Sequence, residues 1–486
     1  MKYILITVLL VGIITAPSCK REELLSPLPP TSIIDSFAFD TPERIINQVR
    51  ALYSNLKNGQ FYGGRYLIYN DIRSEEFLNQ LTNGVTGYGT WNFALTNTAQ
   101  EVQGLWSQAY YVINTANVFL DGLTTKGKGV ISDSLALDYE AEARFIRALS
   151  YYSLLQLYAR PYWDGNGSKP GLPLRLKGNK SIQDYSLERS TVTQIYDQVL
   201  TDLNFAETNL PLQYGTAALN TTRAHRNTAI ALKTRVYMSM QRYDKVIEEA
   251  SKIVGAGPVS SAATGVKHKL ESDITIVFAS PYTSVESILS MPMSADEVPG
   301  TQNQLAYYYS PTSSNGGVGN GEYALNPDGI IGNTEWTAAD KRRSFIHTTA
   351  ATGKKWLTKY KVRSPFTDWI PVIRYSEVLL NYAEALVRET NSVDTRALEM
   401  LNEVRKRSDA ATTLAPADVD AMIDALLTER RIEFLGEGRR SPDLLRLGLT
   451  IPGKAAVVAV PATDIKYIWP ISAAELLLNS KMIDNK

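Results

Sequence analysis

The densest cluster of chemically capable side chains lies in TERRIEFLGEGRR, which holds Glu429, Arg430, Arg431, Glu433, Glu437, Arg439 and Arg440. Acids and guanidiniums alternating in this way could place a proton donor or grip an anion. They could equally lock helices together through two-pronged arginine–carboxylate pairs. The spacing favours the second role, in a helix that runs to a glycine stop at Gly436 or Gly438.

Other routes to catalysis find little support. Glycoside hydrolysis needs two opposed carboxylates about 5–10 Å apart. The chain has 50 acidic residues, and no motif isolates a pair. GxSxG, P-loop and HExxH patterns are absent from the sequence. Cys19 is the single cysteine, and His225, His268 and His347 are the three histidines, too few and too scattered for a structural zinc site. Calcium, which takes oxygen ligands, stays open. The residues point to a non-enzymatic protein without a cofactor. With 50 basic residues balancing 50 acidic ones, no bulk field draws the chain to nucleic acid.

The elements around these residues are mostly helical. At 486 residues and 44% hydrophobic composition, the chain has ample material for a core. Ala141, Phe145, Ala148, Leu149, Tyr152 and Leu155 recur at helical spacing through Asp138–Tyr158, with Ser132 and Asp133 upstream as caps. Arg374–Arg388 carries an apolar stripe from Tyr375 to Leu386 and an opposite polar one of Glu377, Asn381, Glu384 and Arg388, with Glu384 and Arg388 spaced for an ion pair. The stretch RNTAIALKTRVYMSMQRYDKVIEEASKIV predicts one helix to about Met240, a short turn, and a second from about Tyr243. A turn that short forces an antiparallel helical hairpin, with Ala229, Ala231 and Ala250 permitting close approach; it looks like a tetratricopeptide-type unit, although no strict 34-residue period runs along the chain.

Further pairs are predicted between Pro42–Asn58 and Glu101–Leu120, between Asp138–Tyr158 and Thr191–Thr208, and between Arg374–Arg388 and Arg396–Arg407. The fold class is therefore mainly α: tetratricopeptide-like helix pairs forming an α/α superhelix. Its scaffold spans about 42–58, 101–256 and 372–486. The intervening stretches, about 59–100 and 257–371, are rich in Gly, Asn, Ser, Thr and Tyr and predict loops with short strands, including pieces such as ITIVFAS and SILSMPM. Loops this long in a compact protein are usually functional. Trp106, Trp356 and Tyr360 are expected to be core aromatics.

The N-terminus reads MKYILITVLLVGIITAPSC, with Lys2 before an apolar run from Ile4 to Ala16. That run is too short to span a bilayer and has the pattern of an export signal. Cys19 directly after Ser18 resembles a lipoprotein box. Residues 1–18 are then a signal peptide, Cys19 is the acylated residue, and 19–41, with Pro27, Pro29 and Pro30, form a tether to the body at 42–486.

In order along the chain, WSQAYYVINTAN, AEARFIRALSYYSLLQLYARPY, IRYSEVLLNYAEALVRE, LNEVRKRSDA, LLTERRIEFLGEGRRSPDLLRLG and YIWPISAAELLLNSKMIDN resemble stretches of SusD/RagB-family lipoproteins. The resemblance covers nearly the whole mature chain. It implies four tetratricopeptide-like helix pairs supporting a loop-rich region. It implies a lipid-anchored protein exposed at the bacterial outer membrane, partnered by a TonB-dependent transporter of the SusC type. It also implies a ligand, commonly an oligosaccharide or polysaccharide, delivered to that transporter. Peptide capture by a family member, or a helical-repeat adaptor for another protein, shares the same scaffold and stays open.

Sugar rings offer flat C–H faces rimmed by hydroxyls, so a site for them needs exposed aromatic faces with polar neighbours. Tyrosine, at 27 residues against 12 phenylalanines, suits such wet surfaces. In GYGTWNFALTN, Tyr88 and Trp91 stand among glycines beside Asn92; Trp91 is the leading candidate, and its replacement by Ala is expected to weaken polysaccharide retention without moving the thermal midpoint. The second irregular region offers Tyr307, Tyr308 and Tyr309 in QLAYYYSPTSSNGG and Trp336 in GNTEWTAAD. Two or three stacking contacts at about 0.5–1.5 kcal/mol each, plus a few hydrogen bonds, predict millimolar to micromolar affinity.

Overall fold

The computed structural model describes residues 37–181, 183–256, 264–300, 302 and 304–485. The signal segment, Cys19 and all but the end of the tether lie outside the described residues.

Helices dominate. In chain order they are α1 (Pro42–Leu56), α2 (Arg65–Ile72), α3 (Gln100–Gly122), α4 (Asp133–Tyr158), α5 (Val192–Asn209), α6 (Arg226–Ser239), α7 (Tyr243–Ala250), α8 (Tyr375–Thr390), α9 (Thr395–Ser408) and α10 (Val419–Glu433), with shorter helical turns between them. Their starts follow from local chemistry. Pro42 sits at the first turn of α1, where its missing N–H costs nothing, and Thr41 caps that turn by accepting from Arg44 N. Ser132 caps α4 through Leu135 N. Thr191 and Gln194 form a reciprocal capping box on α5, while Asp394 and Asp418 cap α9 and α10.

The helices pair as their periodicity predicts. α1 packs on α3, α4 on α5, α6 on α7, and α8 on α9. The α6–α7 turn is Met240–Arg242, with Ala229, Ala231 and Ala250 buried where the two approach. Each pair presents an apolar stripe to the next, so a single continuous core runs from Ile45 to Trp469. Trp106, Trp356 and Tyr360 are buried.

Three local expectations need correction. First, α2 lies inside the segment expected to be loop. All eight of its residues, Arg65, Asn70 and Asp71 among them, are buried, so no polar face marks a helical period. Second, ITIV is a helical turn, Ile274–Val277, started by Asp273 accepting from Thr275 N; SILSM does form a strand, Ser287–Met291, antiparallel to Ile370–Arg374. Third, α10 ends at Glu433, short of the glycines. Gly436 and Gly438 serve the following loop instead. At Gly438, φ is +68° and an added Cβ would lie 2.8 Å from the Leu67 backbone, so only glycine admits α2 this closely.

The charged motif does bind helices together, with many of its partners out of water. Arg374 meets Glu286, Glu433 and Glu437 at 2.6–2.8 Å, and Arg407 meets Glu286 and Glu433 at 2.6–2.8 Å. Arg342 bridges Asp340, Glu429 and Glu433. The polar stripe of α8 is likewise buried. Glu377 takes Arg235, and Glu384 takes Arg446 as well as the predicted Arg388, which is why carboxylates can occupy an interior helix face. Three guanidiniums hold the Glu433 carboxyl well below the usual carboxylate range despite its burial.

Candidate ligand-binding site

The segment from Arg73 to Leu95 leaves the end of α2 and is fixed from three directions. Strand Phe77–Asn79 pairs antiparallel with Tyr323–Leu325, Asn79 opposite Tyr323. From the scaffold, Glu101 at the start of α3 accepts from Gly89 N at 3.0 Å, from Thr90 N at 2.8 Å and from the Thr90 hydroxyl, closing the short helical turn Tyr88–Trp91. From the charged motif, Arg431 and Arg440 pair with Glu75 and Glu76, and Gly438 N donates to Asp71 at 2.9 Å. The sequence motif that looked like a catalytic cluster is the clamp that seats this loop.

A distant segment, Lys454–Pro470, forms the facing wall. Arg73 donates from Nη2 to Tyr467 O at 2.7 Å, and Lys454 donates from Nζ to Ile72 O and, at 2.7 Å, to Ser74 O. Between the walls are two adjoining cavities. The larger, about 510 Å³, is bounded by Tyr88, Trp91, Thr82, Val458 and Asp464. The smaller, about 400 Å³, is bounded by Arg73, Thr90, Leu95, Ile465 and Trp469. Asn92, Phe93 and Lys466 border both and form the ridge between them. Thr82, Phe93 and Ala455, all at this cleft, hold φ of +47°, +56° and +48°, a region L-residues rarely adopt. Backbone strain of this kind persists where surrounding structure enforces it, and it gathers at functional sites.

The cleft brings together three of the residues chosen from the sequence. Tyr88 is half-buried and stacks on Trp91, ring centroids 5.9 Å apart and planes 20° apart. Its hydroxyl has no partner among the described residues. Asn92 spends its carbonyl on Ala94 N at 3.0 Å, which leaves its amide N–H groups to the cleft. Trp91 is not the open platform expected. It is 8% exposed, its indole N–H donates to Phe77 O at 2.8 Å, and the Lys454 ammonium lies 5.6 Å from its ring centroid. Tyr88 supplies the accessible ring, and Trp91 anchors it.

The other candidates lie elsewhere. Tyr308 and Tyr309 are 0% exposed and cannot touch a ligand. They brace the cleft from behind instead. Tyr309 stacks on Phe77 at 4.9 Å and donates to Asp71, while Tyr308 stacks on Tyr323, whose hydroxyl donates to Thr86 O at 3.1 Å. Tyr307 is half-buried against Tyr308 and Phe366. Trp336 is buried under the Arg343 guanidinium, 4.1 Å from its ring, beside a separate shallow depression of about 490 Å³. Phe93, Asp464 and Lys466 escaped sequence reasoning. Phe93 stands inside GYGTWNFALTN, next to Asn92; for Asp464 and Lys466 the nearest signal was YIWPISAAELLLNSKMIDN, which begins one residue after Lys466.

Stacked helix pairs that carry an aromatic-walled cleft on inserted loops define a helical-hairpin scaffold of the ligand-capturing kind. Comparison with known proteins is specific. A family model described as "SusD family" matches residues 326–455, and one described as "Starch-binding associating with outer membrane" matches residues 29–238. A SusD superfamily protein from Bacteroides fragilis is 32% identical, with a TM-score of 0.80 over 91% of this chain and 99% of that one. The SusD-like protein P2 of Formosa agariphila is 24% identical over 92% of each chain. Surface glycan-binding protein A of Bacteroides thetaiotaomicron, solved with laminarihexaose, shares the fold at a TM-score of 0.72 and 20% identity, covering 92% of this chain and 99% of that one. This chain belongs to the SusD/RagB family.

Proposed function

We propose that this protein captures oligosaccharide outside the outer membrane, tethered through an acylated Cys19, and hands it to a TonB-dependent transporter of the SusC type. The cleft carries the reading. Tyr88 offers a ring backed by Trp91, Phe93 borders both cavities, and the unspent Tyr88 hydroxyl and Asn92 amide stand where sugar hydroxyls would need partners. Two cavities of several hundred Å³ suit a few sugar rings rather than one. A fold relative with laminarihexaose bound, and a matching family model described as starch-binding, support the same ligand class. Asp464 is the single carboxylate among the residues bounding the cavities, whereas glycoside hydrolysis in its usual form needs two, which favours holding a sugar over cutting it.

Weak, fast-exchanging capture fits delivery to a second protein. The test is retention of the mature protein in native gels cast with a panel of polysaccharides. At least one glycan is expected to retard it, and Tyr88→Ala and Asn92→Ala are expected to relieve that retardation. A panel that leaves migration unchanged, alongside tight binding of peptides, would overturn the assignment.

A further inference from the structure

Buried cations in this protein follow a rule. Every arginine or lysine buried among the described residues has a carboxylate within 4.0 Å, except three: Arg65, Arg73 and Lys454. Arg65 is partly compensated by the Glu101 and Glu322 carboxyls, which burial raises and Arg65 offsets only in small part. The other two lie beside the cleft, Arg73 on its lining and Lys454 behind its wall. Arg73 bounds the smaller cavity, and its bonds go to neutral oxygens, Tyr467 O and the Ser441 hydroxyl. Lys454 gives its ammonium to two backbone carbonyls and lies 5.3 Å from the Phe93 ring centroid and 5.6 Å from that of Trp91.

Burial pushes Arg73 down to about 10 and Lys454 well below the usual lysine value, Glu75 offsetting only part of the desolvation at Lys454 and the neighbouring Arg73 charge adding to it. Glu75, the acid that acts on Lys454, is shared with Arg440 and Arg431. Removing a charge from water without a counter-charge is costly, and an anion arriving beside Arg73 would offset that cost.

Three further groups around the smaller cavity have donors to offer, although Asn485, its amide N–H groups given to Tyr158 O and Trp469 O, leaves a carbonyl oxygen there as well. Lys466 stands exposed on the ridge with no ion pair. Trp469 is buried, and its indole N–H has no acceptor among the described residues. The Asn92 amide is unspent. No Asp or Glu bounds this cavity, whereas Asp464 does bound the larger one. We infer that the smaller cavity seats an anionic substituent, a carboxylate or sulfate carried by a sugar ring, at the exposed Lys466 and in the field of the buried Arg73 on its wall, while the larger cavity stacks a neutral ring on Tyr88.

This rests on glycan capture and sharpens it to acidic glycans. Titration calorimetry on the mature protein can separate the two. One pair of probes is oligogalacturonate and its carboxyl-reduced, neutral counterpart; the other is a sulfated galactan oligosaccharide and its desulfated counterpart. At low salt the acidic member of one pair is expected to bind about tenfold tighter or better, the worth of one charge-assisted contact pair. The pair showing that preference identifies carboxylate or sulfate. Because Arg73 also holds Tyr467, the diagnostic variant is Lys466→Glu on the exposed ridge. It is expected to weaken the acidic ligand about fivefold or more beyond any loss for the neutral one, whereas Tyr88→Ala weakens both alike. Equal affinity within both pairs, or an acidic ligand indifferent to Lys466→Glu, overturns the anionic seat. If the neutral members still bind and still need Tyr88, glycan capture survives that failure. Binding of none of the four probes removes the acidic assignment, and glycan capture falls with it only if the polysaccharide panel is also negative.

Discussion

Trp91 and Tyr88 touch one another, yet their replacement by Ala is expected to fail in opposite assays. Trp91→Ala removes a ring that is 8% exposed and an N–H bond of 2.8 Å to Phe77 O. Buried aromatic-to-Ala changes cost about 3–5 kcal/mol. With an unfolding entropy of about 2.1 cal/mol/K per residue over ~440 described residues, each kcal/mol is worth roughly 1 °C, so the midpoint should fall by about 3–5 °C. Tyr88→Ala removes a half-buried ring whose stack on Trp91 is worth about 0.5–1.5 kcal/mol, a shift near 1 °C. In native gels containing a retained polysaccharide, Tyr88→Ala should lose a sugar stack of the same size, weakening retention about two- to tenfold. Scanning fluorimetry and the gel series together decide it. A Trp91→Ala protein with an unshifted midpoint refutes the anchor role, and a Tyr88→Ala protein that is strongly retained removes the ring from the ligand's path.

His225 and His268 stack in the interior with centroids 5.4 Å apart, and burial lowers them to about 3 and about 4. The unfolded chain therefore takes up protons first as pH falls below about 6.5, so stability is lost from there down to the folded values. Each histidine should contribute a loss of about 2 kcal/mol between pH 7 and pH 5, and His268→Gln should flatten that slope in urea midpoints; an unaltered slope assigns the acid sensitivity to other groups. Glu433→Gln leaves Arg342, Arg374 and Arg407 short of a shared carboxylate and should cost about 3–5 kcal/mol or abolish soluble yield, read from denaturant midpoints. Cys19→Ser should move the protein from the detergent phase to the aqueous phase in a membrane-partition assay; continued detergent partition would place the anchor on another residue.

The scaffold was legible where its helices are amphipathic, as at Tyr375–Leu386, or long and capped, as at Asp133–Tyr158, which is buried on nearly every side past Ala141 but runs 26 residues from its Ser132 cap. α2 was not, since it is both buried on every side and only eight residues long. Half of the cleft was legible for a similar reason. Tyr88, Trp91 and Asn92 stand together among glycines, and their setting marks them. Nothing near them announces Lys466 or Asp464, which come from residues more than 350 positions away. Contacts such as Arg73 to Tyr467 O set that juxtaposition, and local pattern does not carry it. Composition also cannot distinguish a tyrosine facing solvent from one braced behind a strand, so Tyr308 and Tyr309 were grouped with Tyr307.

The clamp of Arg431 and Arg440 on Glu75 and Glu76 has a bearing on the order of events in the cell. An early stretch of chain waits for its counter-charges until nearly nine-tenths of the polypeptide has emerged. A molecule cut ahead of Arg431 lacks both counter-charges, so Glu75 and Glu76 are left unpaired while Glu101 still holds the far end of the same segment.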